Sequence, residues 1–142
     1  MRSAGVISER LSMKRTCECC FRVDPDSDKA IYLQLRDHVI SSIACGKLRE
    51  GECLPSVRQL ADQLSVNMHT VNKAYALLAE EGFVSVERCK GAVIVIDADR
   101  ERAVASLKEK LRVTLAEAVC RNITKEEVCL LVEEYYEHLG EF

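Results

Sequence analysis

GKLREGECLPSVRQLADQLSVNMHTVNKAYALLAEEG, residues 46–82, runs directly into FVSVERCKGAVIV, residues 83–95. The first stretch holds two amphipathic helical patterns separated by a tight turn. Ser56, with Gln59 three residues on, forms a capping box for a helix through Leu64. Ser65 and Val66 make the turn, and Asn67 is placed to cap a second helix running to Glu81. Gly82 follows as a left-handed stop. Phe83–Arg88 and Ala92–Ile96 are β-branched runs flanking Cys89-Lys90-Gly91, which is a hairpin signal.

Two short helices followed by a basic hairpin give the layout of a winged helix-turn-helix, whose second helix enters a DNA major groove. Upstream, Ile31, Leu35, Val39, Ile40 and Ile43 fall at helical spacing between Ala30 and Cys45. Ser27 or Asp28 is available to cap that helix, and Gly46 to end it. Downstream, from about Asp99, Val104, Leu107, Leu111, Leu115 and Ala118 lie on one helical stripe. Thr124 with Glu127 makes another capping box, opening a helix whose apolar face holds Val128, Leu131, Val132, Tyr135 and Leu139. Two such helices cannot bury their stripes alone, so a partner surface is implied. Residues 1–23 show no clean period and read as a flexible basic leader, or as a start codon assigned too early. The ordered part is expected to begin near Asp24-Pro25. The expected fold is mainly α with a β-hairpin wing. Its parts are the leader 1–23, a winged helix-turn-helix over 24–97, and a two-helix dimerisation or effector region over 98–142.

With 142 residues, 48% of them apolar and no Trp, the chain suits one small domain with an appendage and an aliphatic core. A net charge of −3 argues against nucleic-acid binding by bulk charge. The charge is unevenly placed. Residues 1–23 carry five basic against two acidic side chains, residues 30–96 seven against seven, and residues 97–142 seven against eleven. The acidity therefore lies away from the proposed DNA-facing part. No apolar run is long enough for a membrane span, and the N-terminus lacks the apolar core of a secretory signal. A cytoplasmic, reducing location is expected, with the eight cysteines as thiols rather than a disulfide framework.

The spacing Gly46-x-Leu48-x-x-Gly51-x-x-Leu54-Pro55-Ser56-x-Arg58-x-Leu60-Ala61-x-x-Leu64-x-Val66, then Thr70-Val71-x-x-Ala74-Tyr75-x-x-Leu78 and Gly82, resembles the GntR family of bacterial transcriptional regulators. Within it the match is to the YtrA-like branch. The resemblance covers residues 24–96 closely and residues 97–142 only in length and two-helix pattern. It implies a dimeric repressor bound to an inverted-repeat operator, acting on operons that include its own gene and often an ABC transporter. An unidentified small molecule would serve as effector, at the dimer interface between the helices. No cofactor and no metal are implied.

The candidate DNA-contacting residues are Ser56, Arg58, Asn67, His69, Thr70, Asn72, Lys73, Arg88, Lys90 and Gly91. The matching family arginine at Arg58 contacts DNA, and its planar fork suits a guanine edge or a phosphate. Asn67 and Thr70 suit phosphates or helix capping, His69 and Asn72 base edges, and Lys73 a phosphate. Many family members carry arginines where this chain has Met68 and Asn72, which implies a different operator. Arg88 and Lys90 at the wing suit phosphate or minor-groove contacts, while Cys89 stands where the family has glycine. Leu60, Leu64, Val66, Val71, Ala74, Tyr75 and Leu78 read as core. Leu107, Leu111, Leu115, Val128, Leu131, Val132 and Tyr135 are the candidate dimerisation residues.

Two other readings stay open. The C-x-C-C cluster Cys17, Cys19 and Cys20 could make the same scaffold a thiol-based metal or redox sensor, although no histidine sits at zinc-finger spacing. The winged helix could also bind protein rather than DNA. An enzyme is not expected, because phosphate-loop, H-E-x-x-H and nucleophile-elbow patterns are all missing.

Overall fold

The computed structural model describes residues 20–88, 91–96 and 99–139. Their order is α1 (Ile31–Ala44), α2 (Val57–Leu64), α3 (Met68–Glu80), β1 (Val84–Glu87), β2 (Gly91–Ile94), α4 (Arg100–Cys120) and α5 (Lys125–Glu137). This is the expected mainly α fold with a hairpin wing and a C-terminal helical region.

Local chemistry accounts for most boundaries. The Ser56 hydroxyl accepts from the Gln59 amide while the Gln59 side chain accepts from the Ser56 amide, so the capping box that starts α2 is complete. Ser65 then turns the chain in a left-handed conformation (φ 54°), and Asn67 caps α3 through the His69 amide at 2.8 Å. Gly82 (φ 83°) takes the chain out of α3 into the hairpin, a backbone conformation that a Cβ disfavours. The hairpin pairs Val84 with Ile94 and Glu87 with Gly91 in antiparallel register. The loop before α2 runs along the other edge of β2. Gly51 donates to the Ile94 carbonyl, Ile94 to that of Glu52, and Leu54 to that of Ala92. With both edges occupied, Ala92, Val93 and Ile94 are all buried.

Leu35 and Val39 of α1, Leu60 and Ala61 of α2, and Val71, Ala74, Tyr75 and Leu78 of α3 form one core with Leu48, Leu54, Val84, Ala92 and Ile94. Leu64 and Val66 pack at its edge. Phe21 and Val23, which the sequence reading assigns to the leader, also belong here. Phe21 is 5% exposed, its ring centroid 5.2 Å from that of His38. Neither Phe21 nor Val23 shows in the sequence as part of a period, because both pack outside any helix or strand.

The start of α1 also differs from expectation. Its N-cap is Ala30, and neither Ser27 nor Asp28 caps it. Gln34 instead reaches back, accepting from the Asp24 amide and donating to the Asp24 and Lys29 carbonyls at 2.7–2.8 Å. One carboxamide thus fastens residues 24–29 onto the helix.

Helices α4 and α5 contain no buried residue. Asp99 caps α4, and Thr124 and Glu127 complete the second capping box at the start of α5. Leu107, Leu111, Leu115, Leu131, Val132 and Tyr135 are 40–56% exposed, and Val128 is half-buried. Contact with the winged body is thin. Lys110 on α4 lies 4.0 Å from Glu81, and the Cys45 thiol donates to the Leu139 carbonyl. Among the described residues no helix is long and apolar enough to cross a membrane.

Candidate nucleic-acid interface

Helix α3 has two distinct faces. Val71, Ala74, Tyr75 and Leu78 are buried, whereas His69, Asn72, Lys73 and Ala76 are exposed on the opposite side at i, i+3, i+4 and i+7. Met68, on the first turn, is 51% exposed. A helix fastened by one face and presenting small, neutral and cationic groups on the other has the form needed to enter a groove.

Three contacts outside the helix fix its position. The Tyr75 hydroxyl donates to the Pro55 carbonyl at 2.8 Å, tying α3 to the residue before the α2 cap. The Arg36 guanidinium on α1 makes a two-pronged bond to the Glu81 carboxylate, at 2.7 and 2.8 Å, where α3 ends. That bond raises Arg36 above its already high pKa against the opposing effect of burial, with Asp37 adding to it. Burial pushes Asp37 up, but hydrogen bonds from Lys29 and Arg36 outweigh it and hold the carboxyl below its ordinary value. At the other end, the Lys73 ammonium lies 4.0 Å over the Tyr32 ring of α1.

The remaining candidates divide by role. Arg58 projects from α2 and is exposed. Ser56 and Asn67 spend their side-chain oxygens on helix caps, so capping is the role the geometry gives them. Thr70 is half-buried, its amide bonded to the Asn67 carbonyl at 3.0 Å. Arg88 and Gly91 are exposed at the hairpin tip, and Gly91 has the positive φ, 78°, that the turn needs. Cys89 and Lys90 lie outside the described residues. Tyr32 was not among the sequence candidates, because its contact with Lys73 joins two helices and leaves no mark in local spacing.

Between the body and α4 lies an open cleft of about 540 Å³. Leu77, Phe83 and Ile96 give it an apolar wall, and its charged lining is balanced, with Arg36, Arg102 and Lys110 against Glu80, Glu81 and Asp99. Cys20, Cys45, Cys53, Cys120 and Cys129 are free thiols. No group of three His, Cys, Asp or Glu able to hold a metal occurs among the described residues, and Cys17 and Cys19 lie outside them.

Comparison with known proteins agrees with this geometry. Residues 30–94 match the family described as bacterial regulatory proteins, gntR family. The HTH-type transcriptional regulator YhcF of Bacillus subtilis is 33% identical over 116 residues, covering 82% of this chain and 92% of the relative. The HTH-type transcriptional repressor YtrA of the same organism is 33% identical over 100 residues, covering 68% and 77%. A solved structure from Listeria monocytogenes EGD-e, described as a transcriptional antiterminator, superposes with a TM-score of 0.77 at 28% identity, covering 87% of this chain and 95% of that one. The chain belongs to the GntR family, in its YtrA-like branch, and is a non-enzymatic DNA-binding transcriptional regulator.

Proposed function

We propose that the protein is a dimeric repressor of its own operon, binding an inverted-repeat operator and released by a small-molecule signal. The observation that carries this reading is the two-faced recognition helix, buried through Val71, Ala74, Tyr75 and Leu78 and open through His69, Asn72 and Lys73. In this reading Arg58, His69 and Asn72 meet base edges, and Thr70, Lys73 and Arg88 meet phosphates. Lys90 and Gly91 bring the wing to the neighbouring backbone. Ser56 and Asn67 act through the helix N-termini that they cap, whose free amides favour a phosphate.

Dimerisation is assigned to the exposed apolar stripes of α4 and α5, including Leu107, Leu111, Leu115, Leu131, Val132 and Tyr135. A second copy supplies the apolar surface that each protomer lacks. Two recognition helices would then enter successive major grooves about 34 Å apart. The cleft between the body and α4 has the size of a small-molecule site, and it touches Glu81 at the end of the recognition helix. A ligand there would alter how α4 is held against the head.

DNase footprinting on the DNA upstream of the protein's own gene tests the proposal. A protected inverted repeat is expected, with half-sites one helical turn apart. Uniform protection that disappears with modest salt would overturn it.

A further inference from the structure

From its N-cap to Asn72, α3 reads Asn67-Met68-His69-Thr70-Val71-Asn72, without an arginine or lysine, and Lys73 follows. The apolar residues of α3 that serve the core, Val71, Ala74, Tyr75 and Leu78, are at most 5% exposed, yet Met68 is 51% exposed. Core packing therefore does not account for Met68. It stands at the N-terminal end of the recognition helix, the part that faces base edges in this motif. Asn72 is exposed one turn further on, so the two side chains are i, i+4 neighbours with Cβ atoms about 5–6 Å apart.

The major groove offers few partners for such a pair. Its apolar feature is the thymine C5-methyl group, which an apolar side chain can cover. A polarizable, unbranched thioether adapts readily to a small exposed methyl. The Asn carboxamide, with one donor and one acceptor, matches adenine N6 and N7 together. Guanine is read instead by the double donor of an arginine or lysine; none stands from Asn67 to Asn72, and Lys73, held over the Tyr32 ring, is assigned to a phosphate. Successive bases on a strand rise by about 3.4 Å, so side chains about 5–6 Å apart reach neighbouring pairs.

We propose that Met68 and Asn72 read A·T base pairs in each half-site, Met68 by covering a thymine methyl and Asn72 by a paired hydrogen bond to adenine. This rests on the DNA-binding reading above. It makes Met68 a specificity residue, and it puts the sequence preference of the helix in methyl and carboxamide contacts rather than in cationic ones.

The test uses the full chain in an in-vitro selection from a random duplex pool, followed by titration of the selected duplex. In single positions of that duplex, thymine is replaced by deoxyuridine, which removes the methyl, or adenine by 7-deazaadenine, which removes N7. Selection is expected to fix A·T pairs at the centre of each half-site. One deoxyuridine should weaken wild-type binding about fourfold, as expected for one buried methyl group. The same replacement should leave Met68→Ala unaffected. One 7-deazaadenine should weaken wild-type binding about tenfold, and Asn72→Ala not at all. Both variants sit at exposed positions, and unchanged melting temperatures verify their folding. Selected half-sites centred on G·C pairs would overturn this inference while leaving the DNA-binding reading intact. Equal deoxyuridine and deazaadenine losses in wild type and variants would do the same. A pool that yields no enriched sequence would overturn both.

Discussion

The Lys73 ammonium lies 4.0 Å over the ring of Tyr32, which joins the exposed face of the recognition helix to the first turn of α1. An exposed cation over an aromatic face gains about 0.5–1 kcal/mol, and a long side chain loses rotamer freedom there before it meets DNA. Lys73→Ala should weaken specific and non-specific binding alike and reduce the salt slope by about 0.9, the value for one phosphate. Tyr32→Leu should keep the slope but lower affinity about two- to fivefold, in line with the lost cation–π contact. Fluorescence anisotropy across a salt series separates the two. An unchanged slope in Lys73→Ala would remove the phosphate contact.

Tyr75 is buried, and its hydroxyl reaches the Pro55 carbonyl at 2.8 Å. Tyr75→Phe keeps the ring and removes the bond, leaving a buried carbonyl short of a donor. Urea denaturation should show a loss of about 1–2 kcal/mol with an unchanged m-value.

Arg36 and Glu81 are about three-quarters buried, at 22% and 25% exposure, and their two bonds hold the C-terminal end of α3. Glu81→Gln removes one of the two carboxylates paired with the guanidinium and leaves Asp37. A stability loss of about 1–2 kcal/mol is expected, between the values for exposed and buried pairs. Thermal unfolding measures it, and full stability in the variant would show that the pair contributes nothing net.

His38 packs against Phe21, and burial, followed by repulsion from Lys47, lowers its pKa below the ordinary 6.5. Between the folded pKa and 6.5 the unfolded chain takes up a proton that the folded chain refuses. Stability should therefore fall as pH drops through 6.5 and level off below the folded value. His38→Phe should remove that part of the pH dependence in denaturation curves. An identical profile in the variant would show that another group titrates there.

The winged helix-turn-helix was legible because its signals are local. Capping boxes at Ser56 and Thr124, the Asn67 cap and the Gly82 stop each act within a few residues, and each appears in the structure. What the sequence concealed is non-local. Phe21 enters the core from an irregular segment, Gln34 displaces the expected caps of α1, and the Arg36–Glu81 and Tyr32–Lys73 contacts span 45 and 41 positions. Spacing shows which face of a helix is polar; it does not show which polar residue on another helix will meet it. The exposed stripes of α4 and α5 were visible as a pattern, and the structure leaves both helices without buried residues.

In the proposed dimer those stripes form the contact, and a double substitution addresses them. Leu111→Glu with Leu131→Glu places carboxylates on both apolar faces, at positions 41% and 50% exposed in the protomer, so the fold should persist. Light scattering should then report a monomer for the variant and a dimer for the wild type.

The most direct measurement moves the two operator half-sites apart by about five base pairs, half a helical turn, which rotates them to opposite sides of the duplex. If two heads joined through α4 and α5 read successive grooves, affinity should fall at least about tenfold, toward that of a single half-site. Equal affinity for the original and the respaced operator would contradict paired reading by a dimer.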